Sequence, residues 1–130
     1  MIFSMTDKPM MIALPTSTFL PTLGGVEVGL HNIAQRLVRL GHQPIVIAPA
    51  ANVLALRRRG RSLPYPVLPF PPKLSTLVEH VPRLALLVFD MYFAWLAWRY
   101  PIDVWHATMG YPTGVALAHY GSGRNLPALV

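Results

Sequence analysis

The stretch MMIALPTSTFLPTLGGVEVGLHNIAQRLVRLGHQPIVIA, residues 10–48, decides the fold class. It opens on an unbroken apolar run, Met10-Met11-Ile12-Ala13-Leu14, closed by Pro15. Such a run suits a strand buried on both faces of a parallel sheet, because a half-exposed strand would alternate apolar with polar residues. Thr16 to Leu23 carries Pro21 and leads into Gly24-Gly25, which reads as an irregular loop. From Glu27 the period changes: Leu30, Ile33, Ala34, Leu37 and Val38 fall at helical spacing, with Gln35, Arg36 and Arg39 on the other side. Gly41 stands where a helix C-terminal glycine belongs. Ile45-Val46-Ile47-Ala48 then reads as a second buried strand. The three pieces make a βαβ unit of ordinary length, whose crossover is expected to be right-handed.

Downstream the pattern continues less regularly. Asn52 to Arg61 reads as a short helix breaking into the basic run Arg57-Arg58-Arg59-Gly60-Arg61, and Pro66 to Phe70 as an edge-like third strand in a proline-rich stretch. Leu84 to Trp98 reads as a strongly apolar helix, interrupted by Asp90 and ended by Arg99-Tyr100-Pro101. Its 15 residues fall short of the roughly 20 needed to cross a bilayer, so it is expected in the core or at an interface. Ile102 to Ala107 should be a fourth strand, Pro112 should open a helix through His119, and Leu126 to Val130 begins a fifth strand. Strands alternating with helices give an α/β class, a Rossmann-like doubly wound parallel sheet. Such sheets bind ligands at the carboxyl ends of their strands, here after Leu14, Ala48 and Ala107.

Composition narrows the function. The 130 residues fit one compact domain, and 53% apolar against 12% charged residues excludes intrinsic disorder. So little charge on so small a domain implies that some apolar surface meets another domain, a partner or a membrane. A net charge of +6 favours anionic partners such as phosphates or phospholipid. With no cysteine, disulfides and thiolate metal sites are excluded. Residues 1–14 show no secretory-signal pattern, so a cytoplasmic chain is expected, peripheral on the inner face of the membrane.

Two segments are candidates for chemistry. In Pro21-Thr22-Leu23-Gly24-Gly25-Val26-Glu27 the adjacent glycines let backbone N–H groups approach a ligand. The helix N-terminus behind them favours a phosphate or diphosphate. Glu27 falls in the first helical turn, where the dipole stabilises a carboxylate. A bare Gly-Gly also serves simply to make a tight turn, and the G-x-G-x-x-G spacing of a dinucleotide site is absent. In the second segment, Asp103 to Gly114, His106 lies near the carboxyl end of a strand, where an imidazole can orient a hydroxyl or bind a phosphate. A strand-end histidine can equally be a hydrogen-bonded structural residue. Tyr111-Pro112-Thr113-Gly114 forms a second loop-to-helix junction.

These blocks carry a resemblance. Phe19-Leu20-Pro21-Thr22-Leu23-Gly24-Gly25-Val26-Glu27, followed by Leu37, Gly41-His42 and Ile45-Val46-Ile47, resembles the opening of family-4 glycosyltransferases of the GT-B type. Asp103-Val104-Trp105-His106-Ala107, followed by Tyr111-Pro112 and Gly114, resembles the same family's later Asp-Val-x-His-Ala segment. The resemblance implies that residues 1–130 are an incomplete N-terminal, subfamily 4-like domain, lacking the C-terminal domain that grips most of the donor. It implies a retaining, metal-independent transfer of a hexose-type sugar from a nucleotide-sugar co-substrate to a lipid-linked or saccharide acceptor, without a further cofactor. Gly24 and Gly25 would then lie beside the diphosphate, with Glu27 and Tyr111 as further candidate substrate contacts and His106 on the cleft wall. Many members carry His-x-His in the second block; Thr108 stands at the later position here and is the second catalytic candidate. Gln43-Pro44 also departs from the usual run after Gly-His.

Two further readings stay open: a non-catalytic module that holds an acceptor or a membrane, and another nucleotide-binding Rossmann-like protein. The partners expected are the nucleotide-sugar, the acceptor, the missing domain and an anionic membrane surface met by Arg57 to Arg61 together with Trp95 and Trp98. Nucleic acid is not expected, because no RNA-binding signature interleaves aromatics with these arginines. The isolated chain is expected to be inactive and marginally stable or aggregation-prone, with an interdomain face left open.

Overall fold

A computed structural model describes residues 9–21, 23–71, 74–107, 113–121 and 128–129. Among the described residues five strands form one parallel sheet: β1 (Met11–Pro15), β2 (Gln43–Ala48), β3 (Val67–Pro69), β4 (Val104–His106) and β5 (Ala128–Leu129), in the order β3-β2-β1-β4-β5. The helices described between them are α1 (Gly25–Arg39), α2 (Ala50–Arg58), α3 (Leu74–His80), α4 (Pro82–Arg99) and α5 (Val115–Gly121). This is the doubly wound α/β arrangement. Sequence order runs outward one way from β1 through β2 to β3, then resumes on its other side at β4. The switch point therefore lies between β1 and β4.

Strand alternation sorts the core into two layers. Ile12 and Leu14 of β1, with Val46 and Ala48 of β2, face α1 and α2, packing on Leu30, Ala34, Leu37, Val53 and Leu56. Their neighbours Ala13, Ile45, Ile47 and Trp105 face the opposite layer, against Phe89, Phe93 and Leu96 of α4 and Leu117 of α5. Phe93 is the hub there, with ring centroids of Trp105, Tyr120 and Phe89 at 5.4, 5.6 and 5.8 Å. Tilted and edge-on pairs of this kind add about 0.5–1.5 kcal/mol each beyond area burial.

The amino end of β1 is clamped from both sides. His42 Nδ1 accepts the Met10 N–H at 3.1 Å, and Asp103 Oδ2 accepts the Met11 N–H at 2.9 Å. Two helices close with the same device. Past α1, Gly41 takes φ +89° while Gly41 N–H bonds Val38 O and His42 N–H bonds Leu37 O. Past α2, Gly60 takes φ +61° while its N–H bonds Arg57 O and the Arg61 N–H bonds Leu56 O. Both are Schellman closures, so the basic run is the capped end of α2 and the turn after it.

Several boundaries differ from the sequence reading. α4 runs from Pro82 at its first turn to Arg99, longer at both ends than the Leu84 to Trp98 read from the sequence, with Asp90 inside it as expected. Asp90 sits on the flank of the helix and reaches His119 of α5, Oδ2 to Nδ1 at 3.1 Å. The stretch before Pro82 forms the separate short helix α3, joined to α4 through Val81. α5 begins at Val115, and Pro112 lies outside the described residues. The fourth strand is confined to Val104–His106, and β3 is an edge strand as expected from its prolines. Along the outer face of α4, Leu84, Leu87, Met91, Trp95 and Trp98 stay exposed. Among the described residues no helix is long and apolar enough to cross a membrane.

Candidate functional site

The loop that follows β1 is held by buried apolar residues and hydroxyl groups, for all its irregular path. Phe19 and Leu20 plug into the α1/α2 layer of the core, and Asn52 of α2 donates its side-chain N–H to Phe19 O at 2.8 Å. The Leu20–Pro21 peptide bond is cis. Thr16 is fully buried; its N–H bonds Ile47 O at 2.9 Å and its hydroxyl donates to Thr18 O at 2.8 Å. The Thr18 hydroxyl then donates to Glu27 Oε1 at 2.7 Å. A three-residue run of hydroxyls, Thr16-Ser17-Thr18, thus ties the end of β1 to the first turn of α1. That run directly follows a buried strand, a signal available in the sequence but not used there.

The two glycines differ in what surrounds them. Gly24 is extended, with φ −161°, a conformation open to any residue. Its constraint is space: a Cβ there would lie 2.6 Å from Glu27 Oε2. Glu27 folds its carboxylate back beside Gly24 at the start of its own helix. Gly25 has no such neighbour, and nothing lies within 4 Å of where its Cβ would be. The backbone of Gly25 therefore borders open space at a helix N-terminus, where the first N–H groups have no carbonyl one turn back.

Glu27 is an ionised carboxylate at neutral pH. The Thr18 hydroxyl and the residue's own backbone N–H hold its pKa below the ordinary 4.5, against the opposing effect of burial. A carboxylate in that place satisfies part of the anion-binding capacity of the helix end. It repels an approaching phosphate and accepts hydrogen bonds from hydroxyl groups.

The loop from β1 and the segment after β4 converge. Ser17 Oγ lies 3.2 Å from Thr113 Oγ1, with Thr113 almost fully buried just before α5. His106, half-buried, ends β4 beside β1. Trp105 points into the α4/α5 layer and Val104 packs against the α1/α2 layer. By alternation His106 is directed to the α1 side of the sheet, the side that carries Gly24, Gly25 and Glu27. Four of the sequence candidates thus share one side of the switch point. Thr108 and Tyr111 lie outside the described residues. Two residues of the sequence blocks go elsewhere: His42 and Asp103 clamp the amino end of β1, across the sheet from this site.

The arrangement offers backbone donors at a helix end, one carboxylate acceptor and one imidazole. Among the described residues no group of three His, Cys, Asp or Glu side chains is placed to hold a metal ion.

Comparison with known proteins agrees with the fold. The model of the family described as Glycosyltransferase Family 4 matches residues 23–130. Among solved structures, the chain is similar to a glycosyltransferase from Rickettsia africae ESF-5, with a TM-score of 0.64 and 19% sequence identity. The similarity covers 94% of this chain and 29% of that one, so the chain spans under a third of its structural neighbour. No curated protein sequence matches the chain.

Proposed function

The chain belongs to glycosyltransferase family 4, and we propose that it forms the acceptor-side part of an enzyme moving a hexose-type sugar from a nucleotide-sugar to a lipid-linked or saccharide acceptor. The observation that supports this reading is the contact of Ser17 with Thr113 beside the β1/β4 switch point, which joins the loop leading to the open Gly25 backbone and Glu27 with the segment that follows His106. Backbone N–H groups at the start of α1 serve as donors aimed at the diphosphate, positioned before the bond breaks. Such donors stabilise charge as it develops on the leaving group without reorganising, which fits a retaining transfer needing no metal and no cofactor beyond the co-substrate.

Glu27 takes a different part. Its negative charge weakens the anion site it borders, leaving the diphosphate to the open backbone at Gly25, and its carboxylate accepts a hydrogen bond from a sugar hydroxyl and orients it. His106 positions a hydroxyl from the β4 side, with Thr108 as a second catalytic candidate and Tyr111 as a further substrate contact. The remaining donor contacts belong to a second domain facing this one, and the isolated chain is inactive without it.

Thermal unfolding of the chain in the presence of UDP- and GDP-sugars tests the reading. A rise in Tm with one donor class and not with the free sugar supports diphosphate contact at this site. No rise with any donor at millimolar concentration removes the diphosphate role from α1.

A further inference from the structure

α4 is apolar on two opposite sides. Ala85, Phe89, Phe93 and Leu96 fill its inner face and are buried in the core. On its outer face Leu84, Leu87, Met91, Trp95 and Trp98 are all between 45% and 80% exposed. At 3.6 residues per turn these five fall within about 80° of arc, as one stripe about 21 Å long. Among the described residues no other helix carries more than three large apolar side chains in the open. A helix apolar on both faces is ordinarily covered on both, and a contiguous stripe of this size marks an interaction surface. Trp95 is already held in place. Its ring stacks on Tyr92, with centroids 5.9 Å apart and planes at 20°, and the Tyr92 hydroxyl donates to Pro69 O. An aromatic side chain fixed in this way loses little entropy when a partner covers it.

The stripe is symmetric about its centre. Leu84 and Trp98 stand seven positions either side of Met91, and Leu87 and Trp95 four positions either side. Around the helix the two members of each pair are displaced to opposite flanks by equal angles, about 20° for the outer pair and about 40° for the inner. A two-fold axis through Met91, perpendicular to α4, therefore sets Leu84 of one copy on Trp98 of the other, Leu87 on Trp95, and Met91 on Met91. Each indole meets a smaller, branched side chain. Self-complementarity about such an axis is what an isologous interface demands, and an unrelated partner does not require it.

We propose that the outer face of α4 is the contact between two copies of this chain, paired antiparallel about Met91. The five side chains offer on the order of 600 Å² per copy, about 1,200 Å² for the pair, which is the lower bound of a stable interface. A micromolar dimer is therefore expected. Arg83 and Arg99, both exposed and eight positions either side of Met91, meet at the rim of the same pairing and oppose it, so the dimer should tighten as salt screens them. α4 ends beside the amino end of β4, so its start lies toward the carboxyl ends of the strands. Antiparallel pairing thus points the two sugar-transfer sites away from each other. The inference uses none of that site's residues and stands independently of the sugar-transfer reading.

Sedimentation equilibrium of the full chain between about 1 and 100 µM tests it, with half-dissociation expected inside that range. M91R sets two guanidinium groups against each other on the axis and should weaken association on the order of 100-fold. Met91 is 65% exposed, so the variant should keep the parent's Tm in dilute solution, where both are monomers. Because the chain has no cysteine, single cysteines report the pairing without background. M91C should cross-link under mild oxidation, and so should L84C mixed with W98C. L84C alone should not, since its two copies lie about 21 Å apart, far beyond disulfide reach. A chain that stays monomeric at about 100 µM, whether or not it binds phosphatidylcholine vesicles, overturns the proposal. So does an M91R variant that dimerises like the parent, or L84C that cross-links as readily as M91C.

Discussion

Gly25→Ala separates a glycine kept for a ligand from one kept for the fold. Nothing lies within 4 Å of the position a Cβ would take at Gly25, so the methyl group enters open space. At the first position of α1, alanine is a better helix former than glycine, by up to about 1 kcal/mol in a helix interior and less at an end. The free variant should therefore be as stable as the parent, or slightly more so. Ligand binding should move the other way. A methyl group there pushes a diphosphate oxygen off the backbone N–H, and a hydrogen bond to a charged group is worth about 1.5–3 kcal/mol, or about 10- to 150-fold in affinity.

In a thermal assay those figures become temperatures. Donor at a hundred times its Kd stabilises the parent by about 2.7 kcal/mol, and a tenfold weaker variant by about 1.4 kcal/mol. For a domain of this size 1 kcal/mol is about 4 °C, so a rise of about 10 °C should fall to about 5 °C or less. Scanning calorimetry with and without nucleotide-sugar reads both quantities. An undiminished ligand shift in Gly25→Ala refutes the seat at α1. A loss of stability without ligand refutes the claim that the face of Gly25 is open. Gly24→Ala is the contrast: its Cβ would meet Glu27 Oε2 at 2.6 Å, so the carboxylate must shift from its place beside Thr18 before any ligand is added.

Phe93→Ala empties the hub between Trp105, Tyr120 and Phe89 and should cost about 3–5 kcal/mol, read as a lower urea midpoint; a loss under 1 kcal/mol would mean that the α4 layer is loosely packed. Acid sensitivity should run through Thr18. The Glu27 pKa is depressed in the folded chain, so its stabilising contribution is complete above the ordinary 4.5 and is lost as pH falls through the lowered value. Thr18→Val removes the leading cause of the depression and should flatten the fall in stability between about pH 5 and pH 3; parallel curves for parent and variant would refute it. His31 adds to the same acid limb. Burial and Arg61 lower its pKa below the ordinary 6.5, so the unfolded chain takes up a proton first as pH drops, and His31→Gln should reduce stability loss between about pH 7 and pH 5.

Much of the site was legible because its signals are local. An apolar run closed by proline, a Gly-Gly before a helical period and a histidine at the end of a short strand each declare themselves within ten residues. What Asp90 does was not legible, because a charge inside an apolar helix does not say which residue it meets until its partner on α5 is placed. The same locality passed over α3, too short for its period to rise above the flanking prolines. The hydroxyls of Thr16, Ser17 and Thr18 carried no reading at all, since a hydroxyl in a loop means little until the acceptor is placed opposite it.

By itself the sequence determined the α/β class and the βαβ unit of residues 10–48, because burial on two faces and helical period are properties of short stretches. Strand order, and with it the switch point between β1 and β4, came only from the tertiary structure. So did the division of the family-like residues between two ends: Gly24, Gly25, Glu27 and His106 at one, His42 and Asp103 at the other. The physical reason is that each of these roles depends on a contact across dozens of residues, such as Ser17 with Thr113 or Met11 with Asp103. No local pattern encodes which distant segment will supply the partner. The arginines show the same limit, since their number is plain in the chain while their gathering at one edge follows from three helices ending on the same side of a sheet.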